Sequence, residues 1–168
     1  EYAPDDDYAK ILKVEDIDDP KPKADEVIFT NKASALNYND IWGMRGVPIP
    51  VPLPHVSGSD VAGDVIAVGE DVKSFKVGDR VVSHSNLACR ICEMCTSGRE
   101  FDCVKRQVWG FQTGPNWGAY SEQINLPEVN VSKIPEGVSY DDAAAASMTI
   151  LTSWHMLVGR AKIKPGQT

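Results

Sequence analysis

Gly58-Ser-Asp-Val-Ala-Gly63-Asp-Val-Ile-Ala-Val-Gly69-Glu-Asp-Val72 mixes small residues, β-branched residues and spaced glycines. This composition predicts a strongly bent β-strand, because glycine inside a strand marks a bulge or a close backbone approach. Downstream, Phe75-Lys-Val-Gly-Asp79 reads as a turn and Arg80-Val-Val-Ser83 as another strand. Upstream, Pro48, Pro50, Pro52 and Pro54 forbid regular structure. Before them, Asn37 to Gly43 reads as a short helical turn that ends a strand over Glu26 to Leu36. Pro20-Lys-Pro22-Lys is a stiff connector. Ile11 to Val14 alternates like a short strand, and Glu1 to Asp7 reads as a polar hairpin turn or surface loop. Gly118 to Leu126 resumes strand alternation. Many short strands with regular turn signals predict an all-β sandwich or barrel. Bends of this kind let a sheet close on itself and remove its edges.

Between those strands lies an irregular excursion, Cys89-Arg-Ile-Cys92-Glu-Met-Cys95-Thr-Ser-Gly-Arg-Glu-Phe-Asp-Cys103, which holds all four cysteines. The spacing C-x2-C-x2-C-x7-C suits one tetrahedral Zn²⁺ ligated by Cys89, Cys92, Cys95 and Cys103. A disulfide pair is the poorer alternative, since cysteines this close in a tight loop rarely meet S–S geometry. Unpaired thiols are the third. Four cysteines would fill the zinc shell, so this metal is expected to hold a loop together and to do no chemistry. Reduced, metal-binding cysteines also suggest a reducing, cytoplasmic compartment.

The chain has 168 residues with 42% hydrophobic and 24% charged content, ordinary globular values. A net charge of −7 argues against a nucleic-acid or anionic-membrane partner. No apolar run approaches a bilayer span. No signal peptide is evident, and the first residue is Glu1, so the chain reads as trimmed at its start. The character changes at Ser139-Tyr-Asp-Asp142, which has a capping-box shape. Ala143 to Ala146 are strong helix formers, and Thr149 to Val158 reads as a second helix before Ile163-Lys-Pro-Gly-Gln-Thr168 turns away. The expected organisation is a β domain over 1–138, with a zinc lobe at 86–108 and a helical connector over 139–168.

The order of motifs resembles the N-terminal half of the medium-chain dehydrogenases/reductases, the zinc alcohol dehydrogenase and quinone (enoyl) reductase superfamily. The matching pieces are Asp19-Pro-Lys-Pro22, Asn37-Tyr-Asn-Asp40, Gly58-Ser-Asp-Val-Ala-Gly63, Val68-Gly-Glu-Asp-Val72 and Val77-Gly-Asp-Arg-Val81. The cysteine lobe, Gly118-Ala-Tyr120, Ile134-Pro135 and Ala143 to Thr152 continue the match. The resemblance implies a GroES-like (chaperonin-10-like) β-barrel with a structural-zinc lobe and C-terminal helices. It also implies a Rossmann domain for NAD(P)H beyond Thr168, and a homo-oligomeric parent protein that acts on a small molecule.

Departures from the family pattern bear on the chemistry. Zinc-dependent alcohol dehydrogenases carry a catalytic-zinc Cys where this chain has Asn37. They carry Gly-His-Glu at Gly58-Ser-Asp60, and their last ligand falls near Met148. An amide, a hydroxyl and a thioether do not replace thiolate and imidazole at a tight Zn²⁺ site. The zinc-free branch carries Asn in a similar turn, which implies hydride transfer from NAD(P)H to an activated C=C or a quinone. On this resemblance Asn37 and Tyr38 form the active-site rim, as an amide donor to a substrate carbonyl and a phenol that donates a proton or lines the pocket. The bland reading is that Asn37 caps a helix and Tyr38 packs. Thr152, and more weakly Thr149, match cofactor contacts. Asn39 cannot serve as a proton relay, and Asp40 reads as a helix cap or buried partner and not as a base. His55, His84 and His155 read as surface or packing residues. Trp42, Trp109, Trp117 and Trp154 read as packing, with Trp42 placed to line a pocket. The competing functions are a zinc-dependent alcohol dehydrogenase and a non-enzymatic zinc-lobed module that binds a partner chain.

Overall fold

The computed structural model describes residues 2–3, 7–46, 48–49, 51–112 and 118–167. Trp117, Pro50, Thr168 and most of Glu1 to Asp7 lie outside the described residues. In chain order the main elements are β1 (Glu26–Thr30), β2 (Ala33–Ala35), α1 (Tyr38–Arg45), β3 (Asp60–Val68) and β4 (Arg80–Ser83). β5 (Asn86–Leu87), α2 (Glu93–Thr96), β6 (Gln107–Val108), β7 (Gln123–Pro127), β8 (Val131–Lys133) and α3 (Tyr140–Trp154) follow.

The bent strand expected from the glycines is β3, and it organises the sheet. It pairs antiparallel with β1, β2 and β4. Its register against β1 slips: Ile28 faces Ala67 but Phe29 faces Val65, so Ile66 is the extra residue of a bulge. At Gly63 the backbones meet so closely that a Cβ there would lie 1.5 Å from the Thr30 carbonyl oxygen.

The strand expected over Glu26 to Leu36 is in fact two, β1 and β2, with a break at Asn31–Lys32. The contact at Gly63 accounts for the break. The Asn31 amide turns aside to donate to the carbonyls of Ala119 at 2.7 Å and Ser121 at 3.2 Å. Lys32 N–H picks up Ala62 O at 2.9 Å.

The sheet order is β7-β1-β3-β4-β8, with β2 beside β3. Its two outer strands, β7 and β8, are separated in sequence only by the 3₁₀ turn Glu128–Asn130. A three-residue link spans at most about 10 Å, so the sheet must coil until its ends meet. The buried Asn130 amide pins that corner by donating to His84 O at 2.8 Å and Asn86 O at 2.9 Å. Inside lies a core of Val27, Phe29, Val61, Val65, Val81, Trp109, Ala119, Ile124, Leu126 and Val131. A second cluster forms where Ala143 and Ala144 of α3 pack on Ala62 and Ile134.

Other expectations need correction. Ile11 to Val14 is not a strand; a 3₁₀ turn at Tyr8–Lys10 precedes it, and Leu12 and Val14 stay exposed with no sheet face to cover them. The Asn37 to Gly43 turn extends to a full helix, α1, closed by Gly46 in the left-handed region at φ 70°. In the Gly118 to Leu126 stretch, β7 starts only at Gln123. Residues 118–120 instead donate backbone N–H groups to Val56, Gly58 and Ser57 and hold the exit of the proline loop. The two C-terminal helices are one. The Ser139 hydroxyl caps α3 by accepting from Asp142 N–H. The helix runs through Thr149 to Trp154, then continues as a π-helical segment, His155–Arg160.

Gly63→Ala is expected to destabilise the chain by about 1–3 kcal/mol or more, as overpacking against rigid backbone does. Urea unfolding should show a lowered midpoint with an unchanged slope.

Candidate functional site

Two assemblies of functional side chains stand out. The first is the cysteine cluster. Two short strands, β5 and β6, pair at the base of the lobe, with Asn86 opposite Val108 and Leu87 opposite Gln107. Beyond them Cys89, Cys92, Cys95 and Cys103 converge with all four sulfurs within 4.8 Å of one another. Three Sγ···Sγ separations are 3.9 Å (Cys89–Cys95), 3.5 Å (Cys92–Cys95) and 3.6 Å (Cys89–Cys103). These are far too long for S–S bonds, and all four cysteines are free. A tetrahedron with Zn–S bonds of 2.3 Å has edges of about 3.8 Å, so the donor set fits one Zn²⁺. Backbone N–H groups of Ile91 and Cys92 pull the Cys89 thiol down to about 6. Burial, then the neighbouring thiols, push Cys95 up to about 12. Among the described residues no other group of three or more His, Cys, Asp or Glu converges in this way.

The second assembly is a cleft of about 520 Å³ between α1, α3 and the base of the lobe. It is lined by Asn37, Tyr38, Asn39, Trp42, Asn86, Val108, Met148, Thr149, Thr152 and Ser153. It therefore gathers the expected rim residues Asn37 and Tyr38 with the expected cofactor residues Thr149 and Thr152. Tyr38 is 61% exposed and stands edge-on to Trp42, ring centroids 5.4 Å apart. The Thr149 hydroxyl is turned back on its own helix, donating to Ala145 O at 2.7 Å.

Behind the cleft wall lies a polar network. The Asn37 amide donates to Asp60 Oδ2 at 2.8 Å, and Met148 N–H donates to Asp60 Oδ1 at 3.1 Å. Burial raises the Asp60 pKa, the Asn37 and Met148 donors oppose the rise, and nearby Asp40 adds to it. Asp40 caps α1, accepting Asn37 N–H at 2.9 Å. It also accepts Gly58 N–H at 3.2 Å and the Tyr120 hydroxyl at 2.7 Å. Burial first, and then the bond to Asp40, raise the Tyr120 pKa.

Each of the three positions that depart from zinc-site residues is engaged in this way. One Asn37 amide hydrogen is committed to Asp60. The buried Ser59 hydroxyl donates to Trp109 O at 2.8 Å, away from the cleft. The Met148 sulfur takes a long bond of 3.5 Å from the Asn39 amide. His55 lies against Gly110 O at 3.0 Å, His84 meets Asn130, and His155 packs at a tilt of 55° against Phe101 of the lobe with centroids 4.8 Å apart. Sequence reasoning missed Tyr120, Asn86 and Val108. Tyr120 lies in the Gly118-Ala-Tyr120 motif, but its partner Asp40 is 80 residues away.

Residues 23–136 match the family described as "Alcohol dehydrogenase GroES-like domain". This chain belongs to that family. The crotonyl-CoA carboxylase/reductase of Cereibacter sphaeroides is 33% identical over 164 residues, which are 93% of this chain and 37% of that protein. Alcohol dehydrogenase 1 of Emericella nidulans is 33% identical over 151 residues, 89% of this chain and 42% of the relative. A solved NAD-dependent alcohol dehydrogenase superposes with TM-score 0.88 and 40% identity, covering 94% of this chain and 45% of that one. These relatives are medium-chain dehydrogenases/reductases. The GroES-like chain spans less than half the length of each of them.

Two outcomes follow from this geometry. Cys95→Ser removes one of the four converging thiols; if the cluster holds zinc, the GroES-like domain should lose that metal and melt lower, since metal binding at such sites is coupled to folding. Zinc analysis and thermal melts read this directly. Because the folded state raises the Tyr120 pKa, that residue's contribution to stability is intact below its ordinary value of 10.0 and is lost as pH rises beyond it. Tyr120→Phe should therefore flatten the alkaline fall of the melting temperature measured from pH 8 to 11, by comparison with the unsubstituted chain.

Proposed function

We propose that this chain is the N-terminal domain of an NAD(P)H-dependent oxidoreductase that reduces an activated C=C, an enone or enoyl thioester, or a quinone, without a catalytic zinc. The observation that carries this reading is the Asn37–Asp60–Met148 network. Where the resembling zinc dehydrogenases hold a metal, this chain has a buried acid bonded by the Asn37 amide and the Met148 backbone N–H, while the Met148 thioether takes the Asn39 amide. The acryloyl-coenzyme A reductase of Sulfurisphaera tokodaii, 32% identical over 131 residues, supports a reductase reading.

The nicotinamide would supply hydride to the β-carbon, leaving enolate charge on the carbonyl oxygen, and a proton completes the product. In the cleft, the second Asn37 amide hydrogen is the donor for that oxygen, worth about 2.7–4 kcal/mol at the barrier for groups of this kind. Tyr38 and Trp42 form the outer rim, and Thr152, with Thr149 as the weaker contact because its hydroxyl bonds Ala145 O, would hold the nicotinamide end. Cys89, Cys92, Cys95 and Cys103 would hold one structural Zn²⁺ in a reducing, cytoplasmic setting, with the parent protein a homo-oligomer.

The second reading is a zinc-dependent alcohol dehydrogenase, favoured by the 40% identity to a solved NAD-dependent alcohol dehydrogenase. Metal stoichiometry of the full-length protein separates the two. One zinc per chain, with NAD(P)H-driven reduction of enones or enoyl thioesters that survives a strong chelator, is the expected result. In that protein Asn37→Ala should lower kcat by about 10²-fold while the fold stays intact. Two zincs per chain, with alcohol oxidation lost reversibly on chelation, would overturn the proposal.

A further inference from the structure

We propose that Asp60 is a positioning residue of the cleft, fixing the direction of the Asn37 amide and tying the start of α1 to α3; this rests on the reading of Asn37 as the carbonyl donor. Asp60 is the first residue of β3 and only 1% exposed. A buried carboxylate is costly unless its oxygens are satisfied. Here each oxygen takes a donor from a different wall of the cleft: Asn37 Nδ2 from the N-cap of α1, and Met148 N–H from α3.

An ionised carboxylate only accepts hydrogen bonds, whereas an amide has a donating and an accepting end. Asp60 therefore selects one orientation of Asn37, because a flipped amide would set its carbonyl oxygen against a carboxylate oxygen. Asp40 holds the other end of the same residue through its backbone N–H. With both ends held, the remaining amide hydrogen keeps one direction. An amide at position 60 could still accept Met148 N–H, though more weakly than a carboxylate, but its own NH2 would then meet Asn37 and favour the flipped amide.

The test uses the full-length protein with NADPH and crotonyl-CoA as probe. Asp60→Asn should lower kcat by about tenfold to a hundredfold, the scale of a misplaced catalytic group, with the KM for NADPH unchanged. In an Asn37→Ala background the same change should add less than about twofold, since a residue acting through Asn37 has nothing left to position. The exchanged pair, Asn37→Asp with Asp60→Asn, keeps both hydrogen bonds: donor and acceptor are reversed between positions 37 and 60, and Met148 N–H still donates to position 60. It should melt close to the unsubstituted protein yet keep the low kcat of Asn37→Ala. If Asp60→Asn alone does not fold, Asp60→Ser is read the same way, since a hydroxyl both donates and accepts and selects no orientation of the Asn37 amide.

A folded Asp60→Asn enzyme with undiminished kcat, while Asn37→Ala is impaired, would overturn the positioning role alone. An equal loss from Asp60→Asn with and without Asn37 would overturn it too, because Asp60 would then act independently. An Asn37→Ala enzyme with undiminished kcat would overturn the reading of Asn37 and the positioning role with it.

Discussion

Much of this architecture depends on one steric allowance, the carbonyl of Thr30 lying where any side chain at position 63 would be. That contact lets β1 end and β2 begin at a new angle while both stay bonded to β3. The redirected chain then delivers Asn37 to the N-cap of α1. The same bent strand starts at Asp60, which meets Asn37 from behind. Two backbones touching at a glycine thus place an amide and a carboxylate 2.8 Å apart, across 23 residues of sequence. No attraction between those side chains could do this alone, since a single hydrogen bond adds only about 1 kcal/mol net.

Legibility in the sequence followed the range of each signal. Gly63 announced a close approach because glycine in a strand has few other uses. Ser139 announced α3 because a cap is a local chemical event. Cysteine spacing announced the cluster because its ligands lie within a single loop. Alternation at Ile11 to Val14 misled, because periodicity records only that a strand face could form, not that a core is there to receive it. The break inside Glu26 to Leu36 was hidden because its cause sits on another strand. Thr149 to Val158 looked separate because no side chain there reveals that the turn before it is already helical.

The cleft was partly legible. Asn37, Tyr38, Thr149 and Thr152 reached one place because the family resemblance orders them, though no local pattern links α1 to α3. Of the network behind them, only the capping role of Asp40 was legible. Asp40 and Tyr120 meet through an 80-residue separation, and a carboxylate with three donors looks the same in sequence as a plain helix cap.

The base of the cysteine lobe has a consequence of its own. Asn86 and Val108, paired across β5 and β6, line the cleft, while every cysteine lies between them in the chain. The lobe thus meets the cleft through a two-residue clasp, while its Phe101 packs against His155 and Arg160 beyond α3. A change of length among residues 88 to 106 would therefore act as a lever on Asn86 and Val108, at one side of the opening. A segment outside the cleft would in this way tune what the cleft admits.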